Sequence, residues 1–140
     1  MEGQRVKKIW EPIDFTIYFK FIRWPVLIAL ILEIAFRYFA NSLGSGLLFD
    51  QMELASWFIR IIAFGVIARR SIKSFGYSTA IAAISGILGG FVIGIVVALY
   101  RFTDGINFWK FFNIITETTT VVVVGSLVAI FVVYVSNLKK

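Results

Sequence analysis

Residues 78–98 read STAIAAISGILGGFVIGIVVA, 21 residues without a charge, long enough as a helix to cross a hydrocarbon layer roughly 30 Å thick. Every fourth residue is small: Ser78, Ala82, Gly86, Gly90, Gly94 and Ala98. Four residues is just over one helical turn, so these positions fall along one face as a shallow, slowly drifting groove. A glycine inside an ordinary helix costs about 1 kcal/mol relative to alanine. In a membrane the cost is offset, because a smooth face lets a second backbone approach closely and gain van der Waals packing. The stretch therefore predicts a central packing helix of a membrane protein, with this face as a helix–helix contact, within the chain or between copies.

Composition agrees. The chain of 140 residues is 59% apolar, against about 45–50% for soluble domains, and its length suits a single membrane domain over 1–140. It has no cysteine and no histidine. That excludes disulfides, iron–sulfur clusters, a thiolate nucleophile, imidazole ligation and the commonest general base. The glycines lie mid-span, not between a strand and a helix, so no phosphate-cradling motif is present. No catalytic residue, metal site or cofactor is expected, and the chain is read as not an enzyme.

Outward from residues 78–98 the remaining elements follow. Residues 1–8 are polar and basic, with Arg5, Lys7 and Lys8, and the pattern of a cleaved signal peptide is missing. Residues 12–23 carry Ile13, Ile17 and Phe21 at four-residue spacing, with acidic residues early and Lys20 and Arg23 late. Twelve residues are too few to span, so an interfacial amphipathic helix is expected, or else a cytoplasmic extension of the next helix. Pro25 suits the first turn of a new helix. Spans are expected at about 26–43, 53–70, 78–100 and 109–135, separated by turn clusters at 41–46, 71–77 and 104–105. The fold class is all-α integral membrane: a four-transmembrane-helix bundle preceded by an N-terminal interfacial amphipathic helix.

Orientation follows from the basic residues. The N-terminal segment, the second connection and the tail hold ten lysines and arginines; the first and third connections hold two, Arg101 and Lys110. Positive residues stay inside, so both termini are expected in the cytoplasm, of a prokaryotic plasma membrane. The basic N-terminal segment then meets anionic lipid headgroups rather than nucleic acid.

Four ionisable residues fall within spans: Glu33 and Arg37 in the first, Arg60 in the second, Glu117 in the fourth. Each costs about 2.5–3.5 kcal/mol at mid-membrane and needs a partner or water. Glu33, Arg60 and Glu117 lie at similar depth, roughly 12 Å below the outer surface at 1.5 Å per residue. Arg37 is one turn from Glu33 on the same face, which leaves Arg60 as the expected partner of Glu117. Two readings are open: an ion-paired network that sets helix register, or a hydrated pocket binding a proton, a cation or an anion. Asn113, Thr116 and Thr120 make the outer half of the fourth span polar and are candidate lining residues. Asn113, Glu117 and Thr120 share a face expected to point into the bundle.

Four spans, Glu33 in the first, the following Ser42-Leu43-Gly44 and the glycines of the third resemble the small multidrug resistance transporters. The basic N-terminal segment, Arg60 and Glu117 depart from that pattern, and the family's function is not carried over. Two functional classes follow from the residues. One is a non-catalytic membrane protein, self-associating or built into a larger complex through the small-residue face. The other is a small oligomeric transporter or channel using Glu33, Arg60 and Glu117.

Overall fold

The computed structural model describes residues 15–44, 46, 49–101 and 107–139. They form four helices: α1 Phe15–Ser42, α2 Phe49–Phe75, α3 Thr79–Arg101 and α4 Phe108–Leu138. Three of them, α2, α3 and α4, are long and apolar enough to cross a membrane. The N-terminal helix α1, with Lys20, Arg23, Glu33 and Arg37 along its length, is not among those three.

Local chemistry sets the sharp turn between α2 and α3. Gly76 adopts a φ of +75° and donates its N–H to the Ile72 carbonyl at 2.8 Å. Left-handed backbone is open to glycine at little cost, so the helix stops there. Ser78 then caps α3: its hydroxyl accepts from the Ile81 N–H at 3.4 Å and its carbonyl from the Ala82 N–H at 3.1 Å. Ser78 thus begins the helix instead of extending the packing face, because the first turn has donors that need an acceptor.

Helix α1 departs from expectation. The sequence predicts a fresh start at Pro25, with residues 12–23 an interfacial helix or an extension of the next one; α1 runs unbroken through Pro25, as an extension would. Its buried positions, Tyr18, Phe21, Ile22, Pro25, Val26, Ala29, Leu30, Glu33 and Arg37, keep one helical phase on both sides of the proline. An interior proline costs about 3 kcal/mol in an ordinary helix, which close packing of this stripe against the neighbouring helices offsets. The stripe N-terminal to Pro25 is held by Phe21, whose ring lies 5.8 Å from that of Tyr18 and 5.9 Å from that of Phe75 on α2. Positions 12–14 and the basic residues Arg5, Lys7 and Lys8 lie outside the described residues.

The most extensive contact joins α3 to α4. A Cβ placed on Gly90 would come within 2.8 Å of the Val121 carbonyl oxygen, and one on Gly94 within 2.8 Å of the Thr118 Cα. At Gly86 the obstructing atom is the Gly125 carbonyl oxygen, closer still. Numbers rise on one helix as they fall on the other, so the pair is antiparallel and backbone touches backbone. Ala82 extends the seam into a cluster with Ala129, Val133 and Ala68, and Ala98 is buried at its other end. The small-residue face is therefore covered by the chain's own α4, which leaves it closed to a second copy.

Polarity runs opposite to that of a water-soluble domain. Phe58 and Ile62 of α2, Phe91 and Leu99 of α3, and Leu127 and Phe131 of α4 face outward, while Glu33 and Arg60 are wholly buried. Between them Phe64, Ile67, Ile93, Val97 and Val121 form a closed apolar layer, none more than 1% exposed.

Candidate functional site

One turn from a buried apolar residue of each helix stand the charges. Glu33 follows Leu30, Arg60 precedes Phe64, Arg101 follows Val97 and Glu117 precedes Val121. All lie toward the end where α1 and α3 finish and α2 and α4 begin, called here the ring end.

Arg60 is the centre. Its Nε donates to Oε2 of Glu33 at 3.0 Å and its Nη2 to Oε1 at 2.5 Å, a two-pronged contact between fully buried groups. The same Nη2 reaches Oε1 of Glu117 at 3.2 Å. Arg37 bridges Oε1 of Glu33 at 3.2 Å and Oε1 of Glu53 at 3.0 Å. Arg101 pairs with Glu53 and, through Nη1, with Oε2 of Glu117 at 3.2 Å. The contacts close on themselves in the order Glu33, Arg37, Glu53, Arg101, Glu117, Arg60 and back to Glu33. Three glutamates alternate with three arginines, every carboxylate touches two guanidiniums, and all four helices contribute. The formal charge of the ring is zero. Trp57, one turn from Arg60, covers its guanidinium at 4.9 Å, an added cation–π contact.

Glu33, Arg37, Arg60 and Glu117 are thus brought together, with two additions to the sequence expectation. Arg60 meets Glu117 as expected, at 3.2 Å, and its closer, two-pronged contact with Glu33 is the first addition. Glu53 and Arg101, read as ends of spans, are ring members. A usable signal exists: Glu53 lies seven residues before Arg60, and Arg101 seven after Gly94, two turns in each case and the same helix face.

Two adjoining hollows flank the ring. One, of about 340 Å³, is bounded by Arg37, Arg101, Lys110, Asn113 and Glu117 at the ring end. The other, of about 330 Å³, opens sideways between α2 and α4 beside Trp57, Arg60, Thr116 and Thr120. Asn113, Thr116 and Thr120 border these hollows but are exposed, so Asn113 and Thr120 do not point into the interior as expected. The hydroxyl of Thr120 donates to the Thr116 carbonyl at 2.7 Å, and that of Thr116 to the carbonyls of Asn113 and Phe112. With its hydroxyl returned to its own backbone, a threonine presents a methyl group and can face apolar surroundings. Among the described residues the buried threonine is Thr118, set against Gly94. Nε of Arg37 and Nη1 of Arg60 are buried with no hydrogen-bond partner. Among the described residues no three side chains of metal-binding type converge.

No protein-family model, curated protein or solved structure matches the chain.

Proposed function

We propose that the chain is a small non-catalytic multi-pass membrane protein whose buried charges lock four spanning helices together, with both termini in the cytoplasm of a prokaryotic cell. Three helices apolar enough to span and an apolar exterior around buried charge support the membrane location. In α1, residues 26–43 supply the fourth span of the bundle, and Phe15–Arg23 extend it to the cytoplasmic interface.

The observation that carries the structural role is the closure of the ring. A carboxylate that binds a proton or a cation during transport must be able to part from its counter-charge; here each one is held by two arginines drawn from different positions. Beneath the ring Phe64, Ile93, Val97 and Val121 fill the interior. Water that reaches the hollows from the ring end meets an apolar floor. The protein then works through association, with itself or within a larger membrane complex. Since α4 already covers the small-residue face, association uses the outer surface, where the hollow between α2 and α4 is lined by Thr116, Thr120 and ring residues.

The transporter reading rests on one feature, the unpartnered Arg37 Nε and Arg60 Nη1 close to the hollows, which suit an anionic or carbonyl group. Water access separates the two. Single cysteines at Asn113, Val121, Ala129 and Val133 can be placed without background, because the chain has no other. A membrane-impermeant thiol reagent added from the ring side should label position 113 and leave 121, 129 and 133 unreacted from either side. Labelling at Val121 and Ala129 would establish a water-filled path and favour transport.

A further inference from the structure

At the end opposite the ring, a third hollow of about 320 Å³ lies between the start of α1 and the close of α2, lined by Ile17, Lys20, Phe21, Arg70, Lys73 and Phe75. That volume is at the low end of the roughly 300–1,000 Å³ of small-ligand sites. The Phe21–Phe75 ring contact at 5.9 Å joins the two helix ends and fixes the hollow's shape. Three cations converge on it. None of them has an ion-pair partner among the described residues, whose four carboxylates, Glu33, Asp50, Glu53 and Glu117, all lie toward the other end. The helix dipole accounts for part of this: Lys73 sits in the last turn of α2, where positive charge is favoured. Lys20, on α1, has no such explanation. Its partners in the hollow are Arg70 and Lys73, which repel it. An anion between the three relieves that repulsion.

We infer that this hollow is a binding site for the phosphate of an anionic phospholipid, with Lys20, Arg70 and Lys73 around the headgroup. The apolar wall of Ile17, Phe21 and Phe75 decides in favour of a lipid over a free phosphate ion. A soluble anion has no use for it, whereas the upper part of an acyl chain packs there and continues onto the apolar exterior. Basic recesses between helices at the cytoplasmic face are suited to headgroups of this kind.

The test is a thermal-stability titration of the full chain in neutral detergent, since a ligand of the native state raises stability by mass action. The probes are phosphatidylglycerol, phosphatidylcholine with the same acyl chains, glycerol 3-phosphate and inorganic phosphate. Phosphatidylglycerol should stabilise saturably, less so as salt is raised, and the other three should not at matched concentration. In the double variant Lys20→Gln, Lys73→Gln its apparent affinity should fall roughly 25-fold, each basic residue near an anionic surface contributing about fivefold. Lys139→Gln, basic at the same end but outside the hollow, should leave it unchanged. Arg70→Lys, which keeps the charge, should retain most of the affinity and serves if the double variant melts early without lipid. Equal response to phosphatidylcholine, or an unchanged affinity in the double variant, overturns the site. Stabilisation by inorganic phosphate at the same concentration as the lipid overturns its assignment to a lipid.

Discussion

Arg60 of α2 grips Glu33 of α1 with two nitrogens on two oxygens, at 3.0 and 2.5 Å, and neither side chain has any exposed surface. Its contact with Glu117 is a single one at 3.2 Å, to a carboxylate that is 13% exposed. The two partners of one guanidinium are therefore unequal, and the difference is measurable. Breaking a buried pair by removing one member costs on the order of 3–5 kcal/mol, because the other is stranded.

Glu33→Gln and Arg60→Gln should each destabilise the protein by that order, and the double variant should recover part of the loss. The coupling from this cycle should exceed that of the cycle pairing Arg60→Gln with Glu117→Gln. Thermal stability in detergent reads both. A Glu33–Arg60 coupling below about 0.5 kcal/mol, the scatter of independent sites, would remove the ring's claim to hold the helices.

Arg101→Gln should cost less than Glu33→Gln. The Arg101 side chain is 34% exposed, so Glu53 and Glu117 can be rehydrated when it is lost, and exposed pairs are worth about 0–1 kcal/mol. A larger loss at Arg101 than at Glu33 would mean that the ring is anchored at its rim and not at its buried side.

Gly86→Ala should destabilise by about 1–3 kcal/mol, the usual cost of overpacking, because its methyl group meets the Gly125 carbonyl oxygen. Gly65→Ala, with nothing within 4 Å of the added carbon, should be neutral or stabilising by up to about 1 kcal/mol through helix propensity. Melting temperatures of the two variants should move apart; a shared response would deny that α3 and α4 touch through backbone.

A reporter active only outside the cytoplasm, fused after Lys140, should stay silent, since ten basic residues against two favour cytoplasmic termini. Activity there would place the ring end in the cytoplasm and the three-cation hollow outside.

The apolar helices are legible in the sequence. Twenty-one uncharged residues at 78–98 compel an apolar helix, and small residues at every fourth position compel a smooth face on it, because both properties repeat within one helix. The helix break that Pro25 suggests is absent. Proline has a known local cost, but the stripe Tyr18, Phe21, Ile22, Val26 and Ala29 outweighs it only through contacts with α2 and α3. The matched depth of Glu33, Arg60 and Glu117 could be counted along the chain, and the Arg60–Glu117 contact with it; the closer contact of Arg60 with Glu33 could not. Arg60 and Glu33 are 27 residues apart, Arg60 and Glu117 57. Which pair meets depends on how far each helix is rotated about its own axis, and that rotation is set by α4 sinking onto Gly86, Gly90 and Gly94. Periodicity determines what each helix offers on each face; only packing of all four decides which face meets which, and so closes six charges into a neutral ring.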